Sequence, residues 1–284
     1  RGLGDVYKRQ LLRGRAMLHK FFCALLFSLV ANFVLAKPHE ESFETYAVQH
    51  GLIHYWGFEN SGNLGDDSLG ISDAIRYNMV TWVPAEHSFT FNSVIHLHGE
   101  KSEDSMIRIP YHANMNQGSF TLDFWFGAGT HAIDPADHLT DRGILKPGIL
   151  LKWGNVKVDL VLGTENNPYL RCAVGDSVYE TPTLSGFGYY QLTLAYNSIK
   201  KHTEVWIDCV NYTFLSGVPD TRGQSLQFGG KSFSGRINDV KFYNRRLRGW
   251  EITQNGYAEK GLSVKLNEKL KVKIWANEKK NTGE

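Results

Sequence analysis

Three runs of this chain place their apolar residues at every second position, the period of a β-strand with one face turned inward. From Phe120 to Phe126, Phe120, Leu122, Phe124 and Phe126 share one side, with Thr121, Asp123 and Trp125 on the other. From Tyr190 to Tyr196 the apolar set is Tyr190, Leu192, Leu194 and Tyr196, against Gln191, Thr193 and Ala195. From Glu204 to Ile207, Val205 and Ile207 point one way, Glu204 and Trp206 the other. Gly, Asn, Asp and Pro clusters separate such runs at intervals of about 8 to 15 residues, and no long stretch carries a helical period. The pattern predicts an all-β chain folded as an antiparallel β-sandwich. Each inward Phe or Leu would contribute about 1.5 to 3 kcal/mol on burial.

The N-terminal segment does not belong to that pattern. Arg1 to Gln10 read as the translation of a sequencing-library adapter, so residues 1–16 are expected to be a scar. Met17 opens a second segment, residues 17–36, with a weakly basic His19-Lys20, an apolar run from Phe21 to Leu35 and a small-x-small exit at Val34-Leu35-Ala36. A spanning helix wants about 20 apolar residues and no such exit, so this is expected to be a signal peptide, leaving a secreted, extracellular chain with no membrane span.

Export would change the charge. The whole chain carries 31 Lys and Arg and 29 Asp and Glu, but residues 1–36 hold six of the former and one of the latter. The remainder has 25 basic and 28 acidic residues, and within it the segment 260–284 is Lys-rich, with seven Lys against three Glu. The body, residues 37–259, is therefore acidic, which argues against nucleic acid as a partner. Cys23 would leave with the signal peptide. Cys172 and Cys209, an even pair in an oxidising compartment, are expected to form one disulfide closing a loop of about 38 residues and worth about 3 to 4 kcal/mol. Two buried free thiols are the alternative. Asn211-Tyr212-Thr213 is the one sequon, making Asn211 a candidate glycosylation site in a eukaryotic secretory pathway.

Several segments resemble a known family. The run Gly235 to Leu247, the opening run Gly51 to Glu59 with its Gly65-Asp66-Asp67 turn, the step Met106 to Pro110 followed by Phe120-Thr121-Leu122-Asp123-Phe124-Trp125, and the pair Tyr190 to Tyr196 and Val205 to Asp208 occur in the order of a laminin-G-like jelly roll. The resemblance covers about residues 48 to 257, so residues 37–259 are expected to form one such domain of the concanavalin A-like superfamily. It implies a structural Ca²⁺ held by Asp66 or Asp67 together with Asp239. The chain departs from the family where Cys209 follows Asp208, because glycine is usual there.

Hydrolases of that superfamily carry alternating carboxylates on one strand, and this chain has none. Nor does it contain a nucleophile elbow, a zincin helix or a phosphate loop, so no enzyme activity is expected. His96-Leu97-His98 places two imidazoles on one strand face with no third ligand near in sequence, the pattern of surface or packed histidines rather than of a zinc site. The candidate ligand-binding face is Asp123, Trp125, Gln191, Thr193, Glu204 and Trp206, where indole rings flanked by polar groups would suit a sugar; packing is the competing role. Loop 134–147 is expected to be long, and residues 264–274 alternate apolar and Lys positions, as in an added strand able to support self-association. The function expected is a non-catalytic recognition module for a carbohydrate or an extracellular protein, with a structural or assembly protein as the alternative.

Overall fold

The three runs with a period of two, Phe120 to Phe126, Tyr190 to Tyr196 and Glu204 to Ile207, all lie within strands. The computed structural model describes residues 48–259 apart from 59–62, 71, 85–92, 100, 116–117, 129–145, 165–166 and 185–188. The expected scar, signal peptide and C-terminal strand, and most of the expected long loop, lie outside the described residues.

In chain order the strands begin with β1 (Leu52–Trp56), β2 (Ile75–Tyr77), β3 (Val80–Pro84), β4 (Ser93–His98) and β5 (Met106–Ile109). A 3-10 turn at Ala113–Met115 leads to β6 (Phe120–Ala128), β7 (Gly148–Trp153), β8 (Val156–Leu162), β9 (Pro168–Val174) and β10 (Ser177–Glu180). Then come β11 (Tyr189–Asn197), β12 (His202–Ile207), β13 (Val210–Leu215), β14 (Leu226–Gly229) and β15 (Ser234–Tyr243), and finally helix α1 (Gly249–Glu259).

All pairings are antiparallel. The front sheet runs β13-β12-β11-β6-β15-β4-β3, with β1 also paired to β15, and the back sheet runs β10-β9-β8-β7-β14-β5-β2. Phe120, Leu122, Phe124 and Phe126 enter one apolar core with Leu192, Leu194, Val205 and Ile207 from the front sheet and Leu151, Trp153, Val158, Leu170 and Phe228 from the back sheet. Phe124 meets Phe228 edge-on, with ring centres 4.9 Å apart, so the two layers interlock through aromatic rings.

Two features go beyond the sequence reading. The turn joining β12 to β13 consists of Asp208 and Cys209, both at positive φ (48° and 67°), the geometry of a two-residue hairpin turn that normally favours Asn-Gly. Asp208 is tied on both sides to Gln191: its amide donates to the Gln191 carbonyl (3.0 Å) and its Oδ1 accepts from the Gln191 amide (3.1 Å). Helix α1 is the second. It lies against the outward side of the front sheet through Ile252, Thr253 and Asn255, all buried, and its start is held by Glu251, whose Oε2 accepts from the Arg248 amide (2.8 Å).

Candidate functional site

The six candidate ligand-binding residues do come together. Asp123 lies opposite Thr193 and Trp125 opposite Gln191 across β6 and β11, and Thr193 lies opposite Trp206 across β11 and β12. All six, Glu204 included, are buried, Asp123 to 1% exposure and Trp206 to 8%. The structure therefore corrects the expectation of an open face, because these side chains are spent on internal ties.

The centre of those ties is Asp123. Its Oδ1 accepts from Gln191 Nε2 (2.9 Å) and Thr193 Oγ1 (2.5 Å), and its Oδ2 accepts from Asn255 Nδ2 of α1 (3.1 Å). Burial raises the Asp123 carboxyl above the usual carboxylate range, although the Lys241 charge and the three hydrogen bonds pull the other way. Asn255 continues the network, donating to Tyr243 Oη (2.9 Å) and accepting the Val48 amide at Oδ1 (2.9 Å). Glu204 is held by Arg246 Nε (2.6 Å) and by Trp206 Nε1 (3.1 Å), so the second tryptophan is turned toward a carboxylate. Lys241, Arg246 and Asn255 were not legible as partners, because they enter from the closing strand, the segment after it and the helix that follows.

On the other half of the same face, Trp125 packs with Val94 and Tyr189, and Arg236 Nη1 donates to Tyr189 Oη (3.0 Å). Burial raises the Tyr189 pKa against the opposing charge of Arg236. The His96 and His98 rings lie with centres 3.9 Å apart at a tilt of 38°, His96 buried and His98 half-buried and bonded to Thr81 Oγ1 (2.7 Å).

The residues proposed for calcium are separated by their roles. Asp66 is exposed. Asp67 Oδ2 meets His54 Nδ1 at 2.5 Å, while Oδ1 accepts the amides of Tyr55 (3.0 Å) and Leu69 (3.3 Å). Asp239, at φ 48°, accepts from Tyr55 Oη (2.7 Å). Among the described residues no group of three or more His, Cys, Asp or Glu side chains is arranged to hold a metal. Asn211 sits half-buried on β13, the edge strand of the front sheet.

The expected Cys172–Cys209 bond is also corrected, since both thiols are free. Cys172 lies on β9 inside the core, whereas Cys209 lies at the β12–β13 turn outside the front sheet, donating from Sγ to Gln191 Oε1 (3.3 Å). The front sheet stands between them.

Among the described residues, the outward side of the back sheet carries exposed polar side chains, a face that the sequence reading did not single out. One row crosses four neighbouring strands: Lys157 on β8 opposite Lys152 on β7, Lys152 opposite Gln227 on β14, and Gln227 opposite Arg108 on β5. Lys152 and Arg108 are exposed, Lys157 and Gln227 half-buried. Gln227 Nε2 donates to the Gly229 carbonyl (2.8 Å), which fixes the amide, and Arg108 stands 5.6 Å over the Tyr77 ring. The adjoining row differs, with Arg171 lying between Glu180 and Asp159 and bonded to Glu180 Oε1 through Nε (2.8 Å) and Nη2 (2.6 Å).

Similarity to solved structures supports the β-sandwich. Domain 4 of AbnA, a GH43 extracellular arabinanase from Geobacillus stearothermophilus, solved in complex with arabinotriose, superposes at TM-score 0.51 and 16% identity, over 72% of this chain and 98% of that domain. The binding domain of botulinum neurotoxin DC superposes in its complex with SialylT at TM-score 0.54 and 11% identity, and in its complex with rat synaptotagmin II at TM-score 0.53 and 11% identity. In both cases the match covers 75% of this chain and 52% of the toxin domain, so the chain spans about half the length of that neighbour. No family model matches the chain, and no curated protein matches it.

Proposed function

We propose that this protein is a secreted, non-catalytic glycan-recognition module of laminin-G-like type, with the open outward face of the back sheet as its contact surface. The observation that carries the reading is the overlap with 98% of the arabinanase domain, a unit solved holding an arabinose oligosaccharide. A sandwich of this extent can serve as a whole binding unit. The placement of the carboxylates points the same way: Asp123, Glu204, Glu251 and Asp67 are engaged in hydrogen bonds that hold the fold together, not paired across an open cleft as glycoside hydrolysis requires. A structural Ca²⁺ would be held by Asp66 or Asp67 together with Asp239, and would have to compete with the bonds that Asp67 makes to His54 and Asp239 to Tyr55.

The test is a glycan array of neutral, sialylated and acidic oligosaccharides, probed with the chain purified in calcium and again in chelator. Binding to a defined sugar class supports the module, and loss in chelator supports the ion. Absence of binding in both conditions, with the thermal transition intact, overturns the glycan reading and favours a protein partner, the second kind of complex seen for the neurotoxin domain.

A further inference from the structure

The cationic row of the back sheet runs against the charge economy around it. Like charges placed directly opposite on neighbouring strands destabilise a sheet, and opposite charges stabilise it. The adjoining row obeys this, alternating Glu180, Arg171 and Asp159. The row of Lys157, Lys152, Gln227 and Arg108 does not, and it sets Lys157 against Lys152. Lys157 is partly relieved by Asp159 Oδ2 at 2.5 Å on its own strand. Lys152 and Arg108, both exposed, have no acidic partner among the described residues.

Resting on the glycan reading and narrowing it, we infer that this row binds an acidic polysaccharide, a linear chain bearing carboxylate or sulfate groups. Strands lie about 4.8 Å apart, so the four positions form a straight ladder on the order of 15 Å long. The ladder presents cations at its ends and a fixed amide between them. Gln227, whose Nε2 is committed to the Gly229 carbonyl, offers its Oε1 to a hydroxyl, while Lys152 and Arg108 offer N–H donors to anionic groups on either side. The Tyr77 ring beneath Arg108 holds the guanidinium in place.

The experiment uses the full chain with dextran sulfate and polygalacturonate as probes, and dextran and arabinan as uncharged comparators. The variants are Lys152→Glu, Arg108→Glu and the double substitution, with Lys200→Glu at the β11–β12 turn as a charge-matched comparator. The chain is expected to bind both acidic polymers, with affinity falling as salt rises, and the double variant to bind at least tenfold more weakly while Lys200→Glu does not. Lys152→Glu should also raise Tm, because it replaces a cation facing Lys157, so loss of binding is distinguishable from unfolding. Undiminished binding by the double variant overturns the assignment and gives the interaction to the cationic segment 260–284. Binding to arabinan without binding to the acidic polymers overturns this inference and leaves the proposed function standing. Failure with every glycan overturns both, as does binding to anionic phosphatidylserine vesicles with none to the polysaccharides.

Discussion

His54 Nδ1 and Asp67 Oδ2 lie 2.5 Å apart with neither side chain exposed, and the pair continues through His54 Nε2 to Asn114 Oδ1 (2.8 Å), which His112 Nδ1 also meets (2.6 Å). Both ring nitrogens of His54 therefore face oxygen acceptors, an arrangement that only the doubly protonated imidazolium satisfies at both ends. Burial by itself would lower the His54 pKa; the bonds to Asp67 and Asn114 and the Asp67 charge outweigh it and hold the value above the usual one. For Asp67, burial would raise the pKa, and the His54 bond, the Tyr55 and Leu69 amides and the His54 charge hold it below the usual one. The pair fastens the loop before β2 to β1 and to the 3-10 turn, beneath the Trp56 ring stacked 5.3 Å from His54.

Two pH limits follow. The His54 contribution is complete below the ordinary histidine pKa, about 6.5, and is lost as pH rises through its raised folded value. The Asp67 contribution is complete above the ordinary carboxylate pKa, about 3.9, and is lost as pH falls through its depressed folded value. Asp67→Asn should lower stability by about 2 kcal/mol near pH 6 and flatten both limbs. Urea unfolding of both chains at several pH values checks this; identical pH profiles would refute it.

Asp123→Asn keeps the shape of the Asp123 side chain and removes one acceptor. Three donors converge on two carboxylate oxygens, so an amide in either orientation sets an NH₂ against Gln191 and Thr193 or against Asn255. The expected cost is about 1 to 3 kcal/mol, with faster amide exchange in α1, whose contact with the front sheet passes through Asn255. Exchange measured by mass spectrometry reports the helix separately from the strands, and unchanged protection of residues 249–259 would count against this role.

The strands were legible because each inward row is dictated by the period of two, and the same alternation grouped Asp123, Trp125, Gln191, Thr193, Glu204 and Trp206 on one side. What lies over that side was not legible. Besides Gly249 and Gly256, the described buried positions of α1 are Glu251, Ile252, Thr253 and Asn255, a mostly polar set, and the two glycines lower its helix propensity, so no apolar helical period announces it. The back-sheet row was hidden for another reason. Lys152, Gln227 and Arg108 are far apart in sequence, and their adjacency depends on β14 entering between β5 and β7, an order that local pattern does not encode.

The two free thiols should differ sharply in reactivity. Burial pushes the Cys172 thiol up to about 12, so almost no thiolate forms at neutral pH and its access is closed. Cys209 is half-buried at a turn. A thiol reagent added to the native protein should modify Cys209 readily and Cys172 only after denaturation, with peptide mapping distinguishing both from Cys23. Two unreactive cysteines that become reactive on reduction would instead indicate a disulfide.

Gly256 offers the sharpest test of how α1 is seated. Alanine is ordinarily better than glycine inside a helix by about 1 kcal/mol. Here a Cβ at position 256 would stand 2.4 Å from Gln191 Oε1 and 2.5 Å from Cys209 Sγ, the two atoms joined by the Cys209 hydrogen bond. Both are side-chain ends, so they can move, but only by giving up that bond and shifting the amide that serves Asp123. Gly256→Ala is therefore expected to reverse the usual sign and destabilise by about 1 kcal/mol. Removing the obstructing sulfur in Cys209→Ala should recover part of the loss in the double variant, giving a non-additive cycle read from denaturant midpoints. Additive effects, or stabilisation by Gly256→Ala alone, would mean that the helix does not rest on the β12–β13 turn as closely as these distances require.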